Sequence, residues 1–161
     1  MCITRRSVLF LSGAAIALAA CSSTTVTLSQ LAADVQLVAS GISSVVAAVA
    51  QIPGVPATTV TQLQGYLATI QIDAGKVASA TPSAVAGTSI ASIVEEIAVA
   101  VQAVAEVALP LIPGGSAAVP ILNAAVSLLP IILDAAGIAG ATKAVGAYTP
   151  DQARLILSAV K

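Results

Sequence analysis

The sequence predicts an all-α protein: an antiparallel bundle of about four helices, built as two helical hairpins, with a short helix added at the C-terminus. Three observations predict it. Apolar residues recur in alternating steps of three and four along several long segments, the period of a helix with one buried face. The breaks between segments are short and rich in proline and glycine, and Ile52-Pro53-Gly54 recurs 60 residues later as Ile112-Pro113-Gly114. The 36 alanines favour helix and let helix backbones approach closely. Overlaid on that spacing, the apolar stripes of the two halves fall out of phase, so architecture recurs and sequence does not.

The first helix starts at Thr27-Leu28-Ser29-Gln30, which has the spacing of a capping box. Its stripe is Leu28, Leu31, Val35, Leu37/Val38, Ile42, Val45, Val49 and Ile52, with Gln30, Asp34, Gln36, Ser40, Ser43, Ser44 and Gln51 between, on a face expected to meet water. Ile52-Pro53-Gly54-Val55-Pro56 ends it, because proline withholds a donor and glycine accepts a reversal. The second helix is expected from Thr58 or Thr59, with Val60, Leu63, Leu67, Ile70, Ala74 and Val77 inward and Gln62, Gln64, Gln71, Asp73 and Lys76 elsewhere on its surface. So short a connection favours antiparallel neighbours.

Thr81-Pro82 reads as an N-cap with proline at the first helical position, opening a third helix to about Leu109. Its stripe is Ile90, Val94, Ile97, Val101, Val104 and Ala108. A fourth helix is expected from Ser116 to about Ile138, with Pro120 in its first turn and Pro130 in its interior as a kink. Gly137, Gly140 and Gly146 mark a loose connection, after which Thr149-Pro150-Asp151-Gln152 starts a terminal helix that Leu155, Ile156 and Val160 are expected to dock.

The N-terminus has the three-part order of an export signal: Arg5 and Arg6, an apolar run from Val8 to Leu18, then the small residues Ala19 and Ala20. Residues 7 to 20 number only 14, whereas a spanning helix needs about 20 apolar residues. Residues 1 to 20 therefore read as a cleaved signal peptide and not as a permanent anchor. Leu18-Ala19-Ala20-Cys21, followed by Ser22-Ser23-Thr24-Thr25, resembles the lipobox of bacterial lipoprotein precursors. The resemblance covers about four residues, placed where the apolar run gives way to a polar tether. It implies that Cys21 is lipidated and becomes the mature N-terminus. Residues 21 to 26 then read as a polar tether, and the 141 residues left after cleavage are a normal length for one domain, read as helical over 27 to 161. Several acyl chains, each contributing about 0.8 kcal/mol per buried CH₂, make such anchoring stable. Thr4-Arg5-Arg6-Ser7-Val8-Leu9 is also similar to a twin-arginine export motif, with Val8 where that pattern commonly has Phe. The general-secretory and twin-arginine routes both remain open. The resemblance implies an exported protein facing the periplasm, and in a cell with two membranes Ser22 is similar to the outer-membrane sorting pattern.

Beyond Cys21 the chain carries four cations against seven carboxylates, a net charge of −3. It has no basic patch and only Tyr66 and Tyr148 as aromatic residues, which excludes phosphate-directed or stacking recognition of nucleic acid. Histidine is absent, removing Ser-His-Asp and Cys-His nucleophiles, common zinc sites and Glu-x-x-His di-metal bundles. No glycine-rich phosphate loop occurs. A non-enzyme without cofactor is expected. Its implied partners are the membrane, through the lipid, and a protein or second copy of the chain at any exposed apolar face.

Carboxylates are the remaining chemistry. Glu95, Glu96 and Glu106 are the only cluster, and Glu95, Gln102 and Glu106 form a polar stripe on the third helix. Glu95 and Glu106 lie 11 residues apart, or about 16 Å along a helix, too far for an acid/base pair of roughly 5 to 9.5 Å. A solvated stripe is the expectation. Asn123, Ser127 and Asp134 form a similar line on the fourth helix. Residues 107 to 133 carry no charge, so two readings follow: a lipid-anchored envelope bundle with a structural, binding or assembly role, or a holin-like or toxin-like protein whose residues 90 to 140 insert as a hairpin with the polar stripes facing inward. Pro110, Pro113, Gly114, Gly115 and Pro120 interrupt the apolar run and favour the first.

Overall fold

The computed structural model describes residues 27–80, 88–114, 116–138 and 147–160, and those residues contain only helices and their connections. The helices are α1 (Leu28–Ala50), α2 (Ala57–Ser79), α3 (Thr88–Ala108), α4 (Ala118–Ala135) and α5 (Pro150–Ser158). The first four pack antiparallel, each against the next, and α4 returns to α1 to close the ring. The short α5 lies on α4 and α1. This is the expected all-α bundle.

Local chemistry sets the ends. Thr27 caps α1 by accepting the Gln30 N–H on its hydroxyl at 3.3 Å. Gly54 turns the chain toward α2 at φ +89°, a left-handed conformation that L side chains rarely adopt. α2 begins at Ala57, slightly earlier than expected, because the Pro56 carbonyl already accepts the N–H groups of Thr59 and Val60. The expected cap at Thr81-Pro82 lies outside the described residues, as do Gly140 and Gly146. α4 is shorter than expected: the Ser116 hydroxyl accepts the Ala118 N–H at 3.3 Å, and Gly137 terminates the other end. There the Ile138 N–H donates to the Leu133 carbonyl and the Gly137 N–H to the Asp134 carbonyl, both at 3.0 Å, with Gly137 at φ +83°. That is a Schellman stop, so Gly137 closes a helix where a loose connection was expected. Pro130 lies inside α4, where it withholds the N–H that the Val126 carbonyl would otherwise accept.

The expected stripes form one core. Leu31, Val35, Val38, Ile42, Val45 and Val49 of α1 are buried, as are Leu63, Ile70, Ala74 and Val77 of α2. All six stripe residues of α3, from Ile90 to Ala108, are buried with them. Leu122, Leu128, Leu129 and Ile132 complete the core from α4.

Three expectations are corrected. Asp34 and Asp73, assigned to water-facing surfaces, are 3% and 2% exposed. On α5 the docking face is Ala153 and Leu157, both fully buried, with Ile156 packed partly against the core; Leu155 is 70% exposed. In that rotation Arg154 reaches Asp34 on α1 and position 155 faces outward.

Candidate functional site

The α3 stripe lies on the solvent side of the bundle. Glu95, Glu96, Gln102 and Glu106 are all exposed, because Val94, Ile97, Val101 and Val104 take the opposite face into the core. On α4, Asn123 is half-buried and Ser127 is buried, its hydroxyl donating to the Asn123 carbonyl at 2.7 Å. Asp134 is exposed at the far end of α4. Ser127 therefore spends its donor within its own helix, and no hydrogen bond or ion pair joins the two stripes among the described residues. Nor do three His, Cys, Asp or Glu side chains come together as a metal-ligand set among them.

What the structure does gather is a groove between α2 and α3. Tyr66 and Thr69 line it from one helix, and Ser92, Glu95, Glu96, Val99 and Ala100 from the other, around about 570 Å³ of space. The Gln62 amide donates to the Tyr66 hydroxyl at 3.2 Å and holds the ring in place, while Val99 is 62% exposed. Antiparallel packing explains the juxtaposition, since the middle of α2 then opposes the stretch of α3 from Ser92 to Ala100. Glu95 and Glu96 supply acceptors over a largely apolar lining, an arrangement complementary to a donor or cation carried on an apolar body.

One turn along α2, Asp73 accepts a hydrogen bond from Lys76 Nζ to Oδ1 at 2.7 Å, while its Oδ2 is buried with no partner among the described residues. The hydrogen bond is the largest influence on Lys76 and raises its pKa above the ordinary 10.5; desolvation opposes that, and the charges of Asp73 and Glu96 add to it. The second ion pair of a buried carboxylate crosses the fold. Arg154 of α5 grips Asp34 of α1 through Nε to Oδ1 at 2.8 Å and Nη2 to Oδ2 at 2.7 Å, and its Nη1 also reaches Asp151 at 3.4 Å. The bond to Asp34 raises the arginine's pKa further, so the guanidinium stays charged throughout the stable range of the protein.

Neither pair was expected from the sequence, although a signal existed. Leu31-Asp34-Val38 and Ile70-Asp73-Val77 share the same i, i+3, i+7 spacing, which places both carboxylates on the core-facing side. Cys21, Arg5, Arg6, Leu18, Ala19 and Ala20 lie outside the described residues.

These features define a small four-helix bundle whose terminal helix is held by a buried ion pair. No family model matches the chain, and neither a curated protein nor a solved structure matches it.

Proposed function

We propose that the protein is a lipid-anchored, non-enzymatic helical bundle of the bacterial cell envelope, exported by its N-terminal signal and held at the membrane through Cys21, with a structural, binding or assembly role. The supporting observation is how the most apolar helices are used. α1 and α4 direct their large side chains into a shared core, and α1 carries a buried carboxylate engaged by α5. Helices committed to a core in this way leave membrane attachment to another device, and the lipobox-like Leu18-Ala19-Ala20-Cys21 supplies one. Gln, Ser, Thr and Glu on the outer faces of α2 and α3 suit an aqueous compartment.

A second reading has its own support. Among the described residues two helices are long and apolar enough to cross a membrane, α1 with a mean hydropathy of 1.6 and α4 with 1.8. These are the first and fourth helices, whereas the hairpin weighed from the sequence is that of the third and fourth. Half of each candidate span is buried inside the bundle. Production of residues 22–161 without signal or lipid separates the readings. A monodisperse helical protein in detergent-free buffer is the result expected of the anchored bundle. Recovery only from membranes, resistant to a high-pH wash, would establish insertion instead.

A further inference from the structure

We propose that the groove between α2 and α3 is the docking site for a basic amphipathic helix of a partner protein. The inference deepens the binding role given to the anchored bundle. It rests on that reading for the role alone and does not require Cys21 to be lipidated.

The groove has an apolar lining and an acidic border, and helix geometry produces both. Glu95, Val99, Gln102 and Glu106 stand at i, i+4, i+7 and i+11 of α3, so they form one ridge along its solvent side. Tyr66 lines the groove from α2, its hydroxyl engaged by Gln62 at 3.2 Å. Val99 is 62% exposed in the middle of the ridge, an aliphatic side chain with carboxylates on either side. Lys76 and Arg154 are the cations among the described residues, and both are committed elsewhere. Lys76 holds Asp73 at 2.7 Å, while Arg154 holds Asp34 at 2.7 Å and Asp151 at 3.4 Å. Glu95, Glu96 and Glu106 therefore make no ion pair among the described residues, and the border of the groove keeps its negative charge.

Charge and length together select the occupant. A second copy laid on this face would set carboxylate against carboxylate, and a net charge of −3 beyond Cys21 likewise opposes any anionic partner. A small organic amine would neutralise one end only, because Glu95 and Glu106 lie 11 residues apart, about 16 Å along the helix. A helix laid alongside meets both ends. Its cations at i and i+11 reach the two acidic ends, while aliphatic side chains at i+4 and i+7 cover Val99 and the Tyr66 ring. The groove offers about 570 Å³ to those aliphatic groups. A groove of similar size, about 510 Å³, lies between α1 and α2, but its lining carries no charge and so selects no partner by sign.

The test uses the chain from residue 21 with Cys21→Ser, which retains every residue of the described core and carries no acyl chain. The probe is a fluorescent alanine-based helical peptide with lysine at i and i+11 and leucine at i+4 and i+7; the control peptide has glutamate in place of lysine. Anisotropy at low salt is expected to show saturable binding of the lysine peptide, about tenfold or more tighter than the control. Glu95→Gln with Glu96→Gln is expected to weaken it about fivefold, a loss that shrinks as salt rises, because exposed charges are screened. Val99→Ser is expected to weaken it about fivefold at every salt concentration. Glu106→Gln, at the far end, is expected to weaken it about twofold. These four side chains are exposed, so the variants keep the parent's circular dichroism. Glu95→Lys with Glu96→Lys should shift the preference toward the glutamate peptide. The docking site is overturned if the parent binds both peptides alike or neither, or if the Gln pair or Val99→Ser binds as the parent does. An unchanged Glu106→Gln, or hexylamine competing as well as the peptide, would show a small-amine site and overturn the helical partner. If the chain is recovered only from membranes, the anchored-bundle reading fails by that result, and the same titration in mild detergent decides the groove separately.

Discussion

Replacing Arg154 by alanine removes the group that holds Asp34, and the size of the effect follows from the burial of the two partners. The Asp34 side chain is 4% exposed and that of Arg154 is 27% exposed. Breaking a fully buried ion pair costs about 3–5 kcal/mol, because one charge is left without its partner in a poorly solvating site. Here the arginine side of the pair reaches water, and truncation lets solvent approach the carboxylate, so about 2–3 kcal/mol is expected. For a domain of this size each kcal/mol lowers the melting temperature by about 4 °C, giving a drop of about 8–12 °C. Thermal unfolding followed by circular dichroism at 222 nm measures it, with urea unfolding as the isothermal check. The double variant Asp34→Leu with Arg154→Met carries the sharper expectation. It removes both charges while keeping apolar volume, and should lie within about 1 kcal/mol of the parent. A drop of under about 2 °C for Arg154→Ala, or equal losses in the single and double variants, would refute the reasoning.

Gly41→Ala gains about 1 kcal/mol of helix propensity but drives a methyl into Leu157; a net loss of about 1–2 kcal/mol is expected, and its sign should reverse in a Leu157→Ala background. Gly137→Ala places a Cβ at φ +83° in the stop of α4 and should cost about 1–2 kcal/mol, read by urea unfolding. The hydrogen bond to Asp73 raises the Lys76 pKa, so the stability it contributes is complete below 10.5 and is lost as pH rises through the higher folded value. The stability difference between parent and Lys76→Met should therefore be constant around neutral pH and vanish only in alkali; a difference that disappears below pH 9 contradicts the assignment.

Period-based reading recovers what depends on local spacing and misses what depends on a distant partner. The stripes of α1 and α3 are legible because each runs through several turns, which leaves only one rotational phase that buries Val35, Val38 and Ile42, or Val94, Ile97 and Val101. In the nine residues of α5 several phases fit equally well. The observed phase buries Ala153 and Leu157 and pairs Arg154 with an aspartate 120 residues away in the chain, information that no local window contains. Asp34 and Asp73 lie inside, where their spacing puts them, although an isolated carboxylate is usually solvated. Gly137 illustrates a different gap. A glycine after an apolar run signals a stop, but the Leu133 carbonyl and Ile138 N–H that define a Schellman motif become specific only with coordinates. The α3 stripe is legible as solvated surface, whereas the burial of Ser127 on the α4 line and the α2–α3 groove around Glu95 and Glu96 require knowledge of which helices are neighbours.

The proposed membrane attachment depends on lipidation of Cys21. Intact-mass analysis of the protein purified from the membranes of a cell that lipidates its own lipoproteins tests it most directly. A chain beginning at Cys21 and carrying acyl chains on that residue, lost together with membrane attachment in Cys21→Ala, is the predicted result. A chain beginning elsewhere, or an unmodified Cys21 in membrane-bound protein, would contradict it.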